Sequence, residues 1–232
     1  MVQGDMNLFI VIPAYNEEKV IGQTLDSLPK KMQHFTTLST VVVDDGSQDK
    51  TFLVAKKRKV VVLRHILNRG LGAALKTGLD YARNHDADIA VTFDADGQHH
   101  YSDIEKVVRP IIKKKVEVVI GTRFKKHGRK VPKSRTFINF VSNIITLAMF
   151  QIWTTDSQSG FRAFSKKALE KIELSGQRME VSSEFFKEIK FKKLKFKEVP
   201  IKAIYTDYSL AKGQSLTNSM NVFGKLTLLL FR

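Results

Sequence analysis

The sequence predicts an α/β protein: a mainly parallel, Rossmann-like sheet covered by helices on both faces. Three observations predict it. Short runs of aliphatic and β-branched residues alternate with segments of helical apolar spacing through the first half of the chain. Those runs are apolar throughout rather than alternating, as in strands buried on both faces. Polar clusters follow three of the runs, where a parallel sheet presents its carboxyl ends. The length of 232 residues suits one domain over 1–232, and no linker, repeat or low-complexity tract divides it.

The elements follow in order. Residues 8–12 form a strand run ended by Pro13, and 17–28 have helical spacing. Runs at 40–43 and 60–63 give two more strands, and 70–84 a helix that begins Gly-Leu-Gly-Ala-Ala. A fourth strand is expected at 89–93. The helix at 102–112 carries Ser102 and Glu105 at the spacing of a capping box. A fifth strand is expected at 116–120. The second half is less regular: a basic loop at 125–135, helices at 135–151, 166–172 and 182–192, and a late strand at 195–204 in which Pro200 implies an edge or a bend.

Composition narrows the function. An apolar share of 43% is that of a globular protein rather than a disordered one. Lys and Arg outnumber Asp and Glu by 39 to 23, giving +16; such a surplus suits an anionic partner or a Lys-rich solvated surface. The absence of Cys excludes disulfides, zinc thiolates and thiol catalysis, and fits the cytoplasm. Residues 1–7 carry no leader-like pattern, and no run of eighteen apolar residues occurs. The stretch 137–153 comes nearest, interrupted by Asn139, Ser142, Asn143 and Thr146.

The three strand-end clusters are Pro13-Ala14-Tyr15-Asn16-Glu17-Glu18, Asp44-Asp45-Gly46-Ser47 and Asp94-Ala95-Asp96-Gly97-Gln98-His99. Each alone reads equally well as a turn; three at one sheet edge point to a site. Asp94 and Asp96 point the same way on an extended segment, and two close carboxylates call for a cation between them. Hard oxygen ligands suit Mg²⁺ or Mn²⁺, with Gln98 offering a further neutral oxygen. His99 and His100 lack the partners of a zinc site. Residues 68–78 superficially resemble a phosphate loop without being a Walker A motif; close helix–sheet packing is the favoured use of their glycines, and a donor-side role for the preceding loop stays open.

These residues, in this order, resemble the family 2 glycosyltransferases of GT-A fold, and within them the dolichyl-phosphate mannosyltransferase and polyprenyl-phosphate glycosyltransferase branch. The matching stretches are VIPAYNEE (11–18), VVVDDGSQDKT (41–51), NRGLGAALKTGLDYA (68–82), FDADGQHH (93–100), IGTRF (120–124), DSQSGFRAFSKKAL (156–169) and EVPIKAIYTDYSLAKGQS (198–215). The resemblance implies that Pro13, Ala14, Tyr15, Glu17, Asp44, Asp94, Ala95 and Lys212 bind the nucleotide sugar. It implies that Asp94, Asp96 and Gln98 hold Mg²⁺ or Mn²⁺ on the donor pyrophosphate. Arg123, Ser134 and Arg135 would meet the acceptor phosphate, and Asp96, Arg123 and Asp156 form the expected catalytic set. GDP-mannose is the favoured donor, with UDP-glucose or UDP-N-acetylhexosamine as alternatives. Two departures are Leu71, where relatives often have Lys, and His99-His100-Tyr101 in place of His-Pro.

A polyprenyl phosphate is already an anionic nucleophile at neutral pH, so it needs positioning more than a general base. A saccharide hydroxyl acceptor would instead need a base, which Asp156 or Glu184 would supply. The basic run from Lys125 to Arg135 leads into the apolar helix, making 134–151 a candidate membrane-interface element on the cytoplasmic face. The tail at 223–231 is a second one. A core helix or homo-oligomer contact is the competing use. Nucleic acid is not expected as a partner, because base-stacking aromatics do not interleave with the basic residues in a form that core packing fails to explain.

Overall fold

The structure is a computed structural model that describes residues 6–124 and 133–204, with side chains from 135 in the second stretch. Seven strands form one sheet: β1 (Met6–Ala14), β2 (Phe35–Asp44), β3 (Val61–Arg64), β4 (Ile89–Thr92), β5 (Val118–Thr122), β6 (Arg162–Ser165) and β7 (Phe196–Pro200). Their order is β3-β2-β1-β4-β6-β5-β7. All pairings are parallel except those of β6, which runs antiparallel between β4 and β5. The expected mainly parallel sheet is therefore found, with one inserted strand that the spacing of apolar residues did not reveal.

Alternate residues of each strand feed opposite cores, which is why the strand runs are apolar throughout. Phe9 and Val11 of β1 join Val41 and Val43 beneath α3 (Leu71–Asn84), α6 (Lys166–Lys171) and α7 (Val181–Phe191). Leu8, Ile10 and Ile12 join Val42 and Val91 under α1 (Ile21–Ser27), α2 (Thr51–Lys56) and α4 (Asp103–Ile112). Gly78 lets α3 lie close on the sheet, since a Cβ there would fall 2.2 Å from Val11 Cγ1.

Two local expectations change. Ser102 does not cap α4 through its side chain; its backbone is already helical, and its Oγ lies 2.7 Å from His100 Nδ1. The late strand stops at Pro200, on the sheet edge next to β5. The basic run 125–132, Lys212 and the tail lie outside the described residues, as does the side chain of Ser134.

Candidate active site

Strand order reverses at β1: β2 and β3 extend to one side, β4 to the other. Loops leaving the carboxyl ends of β1, β2 and β4 therefore part, and a crevice opens between them. The cleft there has a volume of about 430 Å³. At its β1 end, Pro13, Ala14, Tyr15 and Glu17 form one wall. Their loop is tied to the loop after β2: Asn16 N donates to Ser47 Oγ at 3.0 Å, Gln48 N to Asn16 Oδ1 at 2.9 Å, and Glu17 N to Thr51 Oγ1 at 2.7 Å. Asn16 takes φ 53°, a conformation that Asn tolerates better than most residues.

The paired aspartates after β2 do different things. Asp44 is fully buried, with Arg64 Nε 3.0 Å from Oδ2 and Ser47 N donating to Oδ1 at 3.2 Å. Arg64 lies over it and also stacks on Phe52. The expected nucleotide contact by Asp44 therefore finds its carboxylate beneath Arg64, outside the cleft lining, and Asp45 faces the cleft instead. Asp45 Oδ1 meets His65 Nδ1 at 2.7 Å and accepts from Arg69 N, while Oδ2 accepts from Gly70 N. This fixes the 65–70 loop as the opposite wall. Gly70 and Gly72 then pack against a backbone: a Cβ on either would fall 2.4 and 2.0 Å from the carbonyl oxygens of Gln177 and Gly176. Close packing on the sheet, the favoured reading, holds for Gly78; Gly70 and Gly72 instead make room for the 176–177 backbone.

Asp94, Ala95, Asp96 and Gln98 line the cleft floor. Asp94 lies directly over Gly160, where a Cβ would come within 2.4 Å of both carboxylate oxygens. His99 Nε2 sits 2.8 Å from Asp94 Oδ2, and the imidazole is packed between Phe93 and Phe161. Burial raises the pKa of Asp94, but the charge and hydrogen bond of His99 with the charges of Arg123 and Arg162 outweigh it, leaving the group below its ordinary value. Asp96 is pushed the other way, up to about 6, by burial and by the negative charge of Asp94.

One carboxylate held ionised beside a second that resists ionisation is a site short of positive charge, and a divalent cation fits that deficit. Among the described residues no group of three His, Cys, Asp or Glu side chains forms a protein-only cage. Asp94 and Asp96 would thus hold Mg²⁺ or Mn²⁺ as a pair, leaving coordination positions for phosphate oxygens and water. Gln98, expected to offer a neutral oxygen to the metal, is tied to both sides of the cleft. Its amide nitrogen donates to Asp96 Oδ2 at 2.7 Å, and its oxygen accepts from Arg135 Nη1 at 3.0 Å.

Across the floor stands Arg123, just past β5. Asp156, fully buried, grips it three times: Arg123 N at 3.0 Å and Nε at 2.8 Å donate to Oδ2, and Nη2 at 2.7 Å to Oδ1. Both oxygens of Asp156 are thereby engaged with Arg123. Glu184, the other candidate base, is spent on Ser175 N, Ser175 Oγ and Gly176 N. Behind Asp94 and Asp156 lies Arg162 on β6, buried over the Phe185 ring, its pKa lowered to about 10 by burial against the opposing pull of Asp156 and Asp94.

Helix α5 (Lys133–Phe150) completes the site and buries a polar stripe against it. Asn139 and Asn143 are buried, and both donate to the Thr155 carbonyl, at 2.8 and 3.0 Å. Ser157 N donates back to Asn143 Oδ1 at 2.9 Å. Ile138 lines the cleft and Phe150 joins the core, while a second set of apolar residues faces outward: Phe137 is 63% exposed and Phe140 56%, with Ile144 and Leu147 continuing the ridge. Among the described residues no helix is long and apolar enough to cross a membrane. Sequence reasoning missed Gly160, Arg162, Gln158 and Met179; the first three sit in a stretch read as a motif without individual roles, and Met179 carried no local signal.

A switch-point cleft with a carboxylate pair on its floor and a buried-anchored arginine opposite is the architecture of an enzyme that handles a nucleoside diphosphate. The chain belongs to glycosyl transferase family 2, whose model matches residues 9–173, and it is a glycosyltransferase. It is 48% identical to an uncharacterized protein of Methanocaldococcus jannaschii over 94% of this chain and 90% of that one. It is 39% identical to the UDP-N-acetylglucosamine–dolichyl-phosphate N-acetylglucosaminyltransferase of Methanococcus voltae, over 97% of this chain and 96% of that one. In fold it is similar to glucosyl-3-phosphoglycerate synthase from Mycobacterium tuberculosis, solved with Mn²⁺, UDP and phosphoglyceric acid. That likeness has a TM-score of 0.74 at 18% identity, over 96% of this chain and 78% of that one.

Proposed function

We propose that the protein moves a sugar from a nucleotide-sugar donor to a dolichyl or other polyprenyl phosphate, with inversion at the anomeric carbon. The observation that carries this reading is the pairing of the Asp94/Asp96 floor with Arg123, while the carboxylates that could serve as a base for a hydroxyl acceptor are engaged elsewhere. A bound Mg²⁺ or Mn²⁺ would neutralise charge on the leaving nucleoside diphosphate. Arg123, held rigid by Asp156, would receive the acceptor phosphate and align its oxygen with the anomeric carbon. Arg135 stands beside it, on the first turn of α5, and braces Gln98 against Asp96. No proton needs to leave the nucleophile, because a phosphomonoester is ionised at neutral pH.

Of the donors, UDP-N-acetylglucosamine now has more support than GDP-mannose, because the relative at 39% identity is named for it. The outward ridge of α5 supports a peripheral position at a membrane surface: it carries Arg135 at the cleft and ends near the exposed Trp153. The test is to incubate the protein with Mn²⁺, a polyprenyl phosphate and a panel of UDP- and GDP-sugars. Nucleoside diphosphate release that depends on the lipid supports the reading, and release indifferent to the lipid counts against the acceptor.

A further inference from the structure

We infer that Gln158 is a sugar-contacting residue, the side chain that meets the polar edge of the hexose or N-acetylhexosamine while it is transferred. The inference rests on the proposed donor and acceptor ends of the cleft, and it comes from the loop that joins them. Residue 156 of this loop holds Arg123, and residue 160 is the floor on which Asp94 rests. The leaving phosphate belongs over Asp94 and Asp96, and the incoming phosphate at Arg123. The carbon that changes partners must lie between them, above the middle of residues 156–160.

Around that midpoint the loop turns its other side chains inward. Asp156, Ser157 and Ser159 are buried, and Gly160 has none. Gln158 alone of the five lines the cleft. Its neighbours in the cleft are committed: Asp45 to His65 and two backbone amides, Asp94 to His99, Asp96 to Gln98, Arg123 to Asp156, and Arg135 to Gln98. The Gln158 amide makes no hydrogen bond among the described residues. It thus offers both donors and an acceptor at the place where a sugar must lie. An amide of this kind pairs with adjacent hydroxyls or reciprocally with an acetamido group. The backbone beneath it is anchored independently, by Asn143 through Ser157 and by Asp156 through Arg123, so truncating the side chain should leave the loop in place.

Titration calorimetry in the presence of Mn²⁺ tests this without an acceptor. Two pairs of probes are compared on wild type and Gln158→Ala: UDP with UDP-N-acetylglucosamine, and GDP with GDP-mannose. For the pair that wild type binds, the variant should keep its affinity for the bare nucleotide within about twofold. Its affinity for the sugar conjugate should fall roughly tenfold, the scale of one lost hydrogen bond. Gln158→Asn, which keeps the amide on a shorter stem, should recover part of the loss. An unchanged ratio between conjugate and nucleotide overturns the assignment, as does an equal loss of both, which would make Gln158 a prop of the loop. Binding of neither pair by wild type overturns the donor reading and this assignment with it.

Discussion

Asp94 is held from two sides, by His99 Nε2 at 2.8 Å and by the floor that Gly160 leaves open. Gly160→Ala should therefore lift the carboxylate without disturbing the sheet, because the obstructed atoms end a side chain rather than a backbone. Mn²⁺ affinity, read by electron paramagnetic resonance, is expected to drop at least about tenfold with little change in melting temperature; a Gly160→Ala protein that binds Mn²⁺ normally would refute this. Asp96 gives a pH dependence. With its pKa raised to about 6, protons compete with the cation below that value. Apparent metal affinity should be level above pH 7 and fall about tenfold per pH unit well below about 6, the slope of one competing proton. Asp156→Asn separates aiming from proton transfer. If Asp156 only aims Arg123, the acceptor KM rises and donor affinity holds; a loss confined to kcat would restore it as a base. Asp156→Ala strips Arg123 of all three of its hydrogen bonds to this carboxylate and should lower the melting temperature more than Asp156→Asn does.

At the scale of elements, α5 unites two tasks on opposite faces. Its asparagines clamp the carbonyl before Asp156, and its outer ridge of Phe137, Phe140, Ile144 and Leu147 touches solvent. Serine at Phe137 and Phe140 should change folding stability little, since both side chains are exposed. Binding to anionic phospholipid vesicles should weaken by about tenfold per side chain, from the burial each would forfeit. Sedimentation with vesicles reads this directly, and vesicle binding that ignores both substitutions would assign the ridge to self-association instead. The helix shows what sequence could and could not convey. Its length and apolar content were legible, but the polar residues that seemed to interrupt it are its inner face. The Thr155 carbonyl they bind explains why that stripe points inward. The strand β6 was hidden for a related reason: it is four residues long, begins with Arg162, and is buried because Phe185 and Phe186 cover the guanidinium.

Across the whole molecule, the strands that carry the site were legible because each is a continuous apolar run ending in a polar cluster. Periodicity placed β1, β2 and β4, and the topology then brought Pro13, Asp45 and Asp94 to one crevice. It could not say which aspartate of the pair after β2 would face inward, because that depends on Arg64 arriving from β3 to cover Asp44. Nor could it assign Gln98, whose amide is shared between Asp96 and an arginine far along the chain. The +16 charge and the outward ridge of α5 fit an enzyme that works against an anionic surface, and the cleft fits a donor whose leaving group is a diphosphate. A lipid-phosphate acceptor joins these two, and nucleoside diphosphate release from UDP-N-acetylglucosamine with Mn²⁺, followed with and without polyprenyl phosphate, tests it. Release should require the lipid phosphate, yield a glycosylated lipid in equal amount, and be abolished by Asp94→Asn. Release at the same rate without the lipid, or release that survives Asp94→Asn, would contradict it.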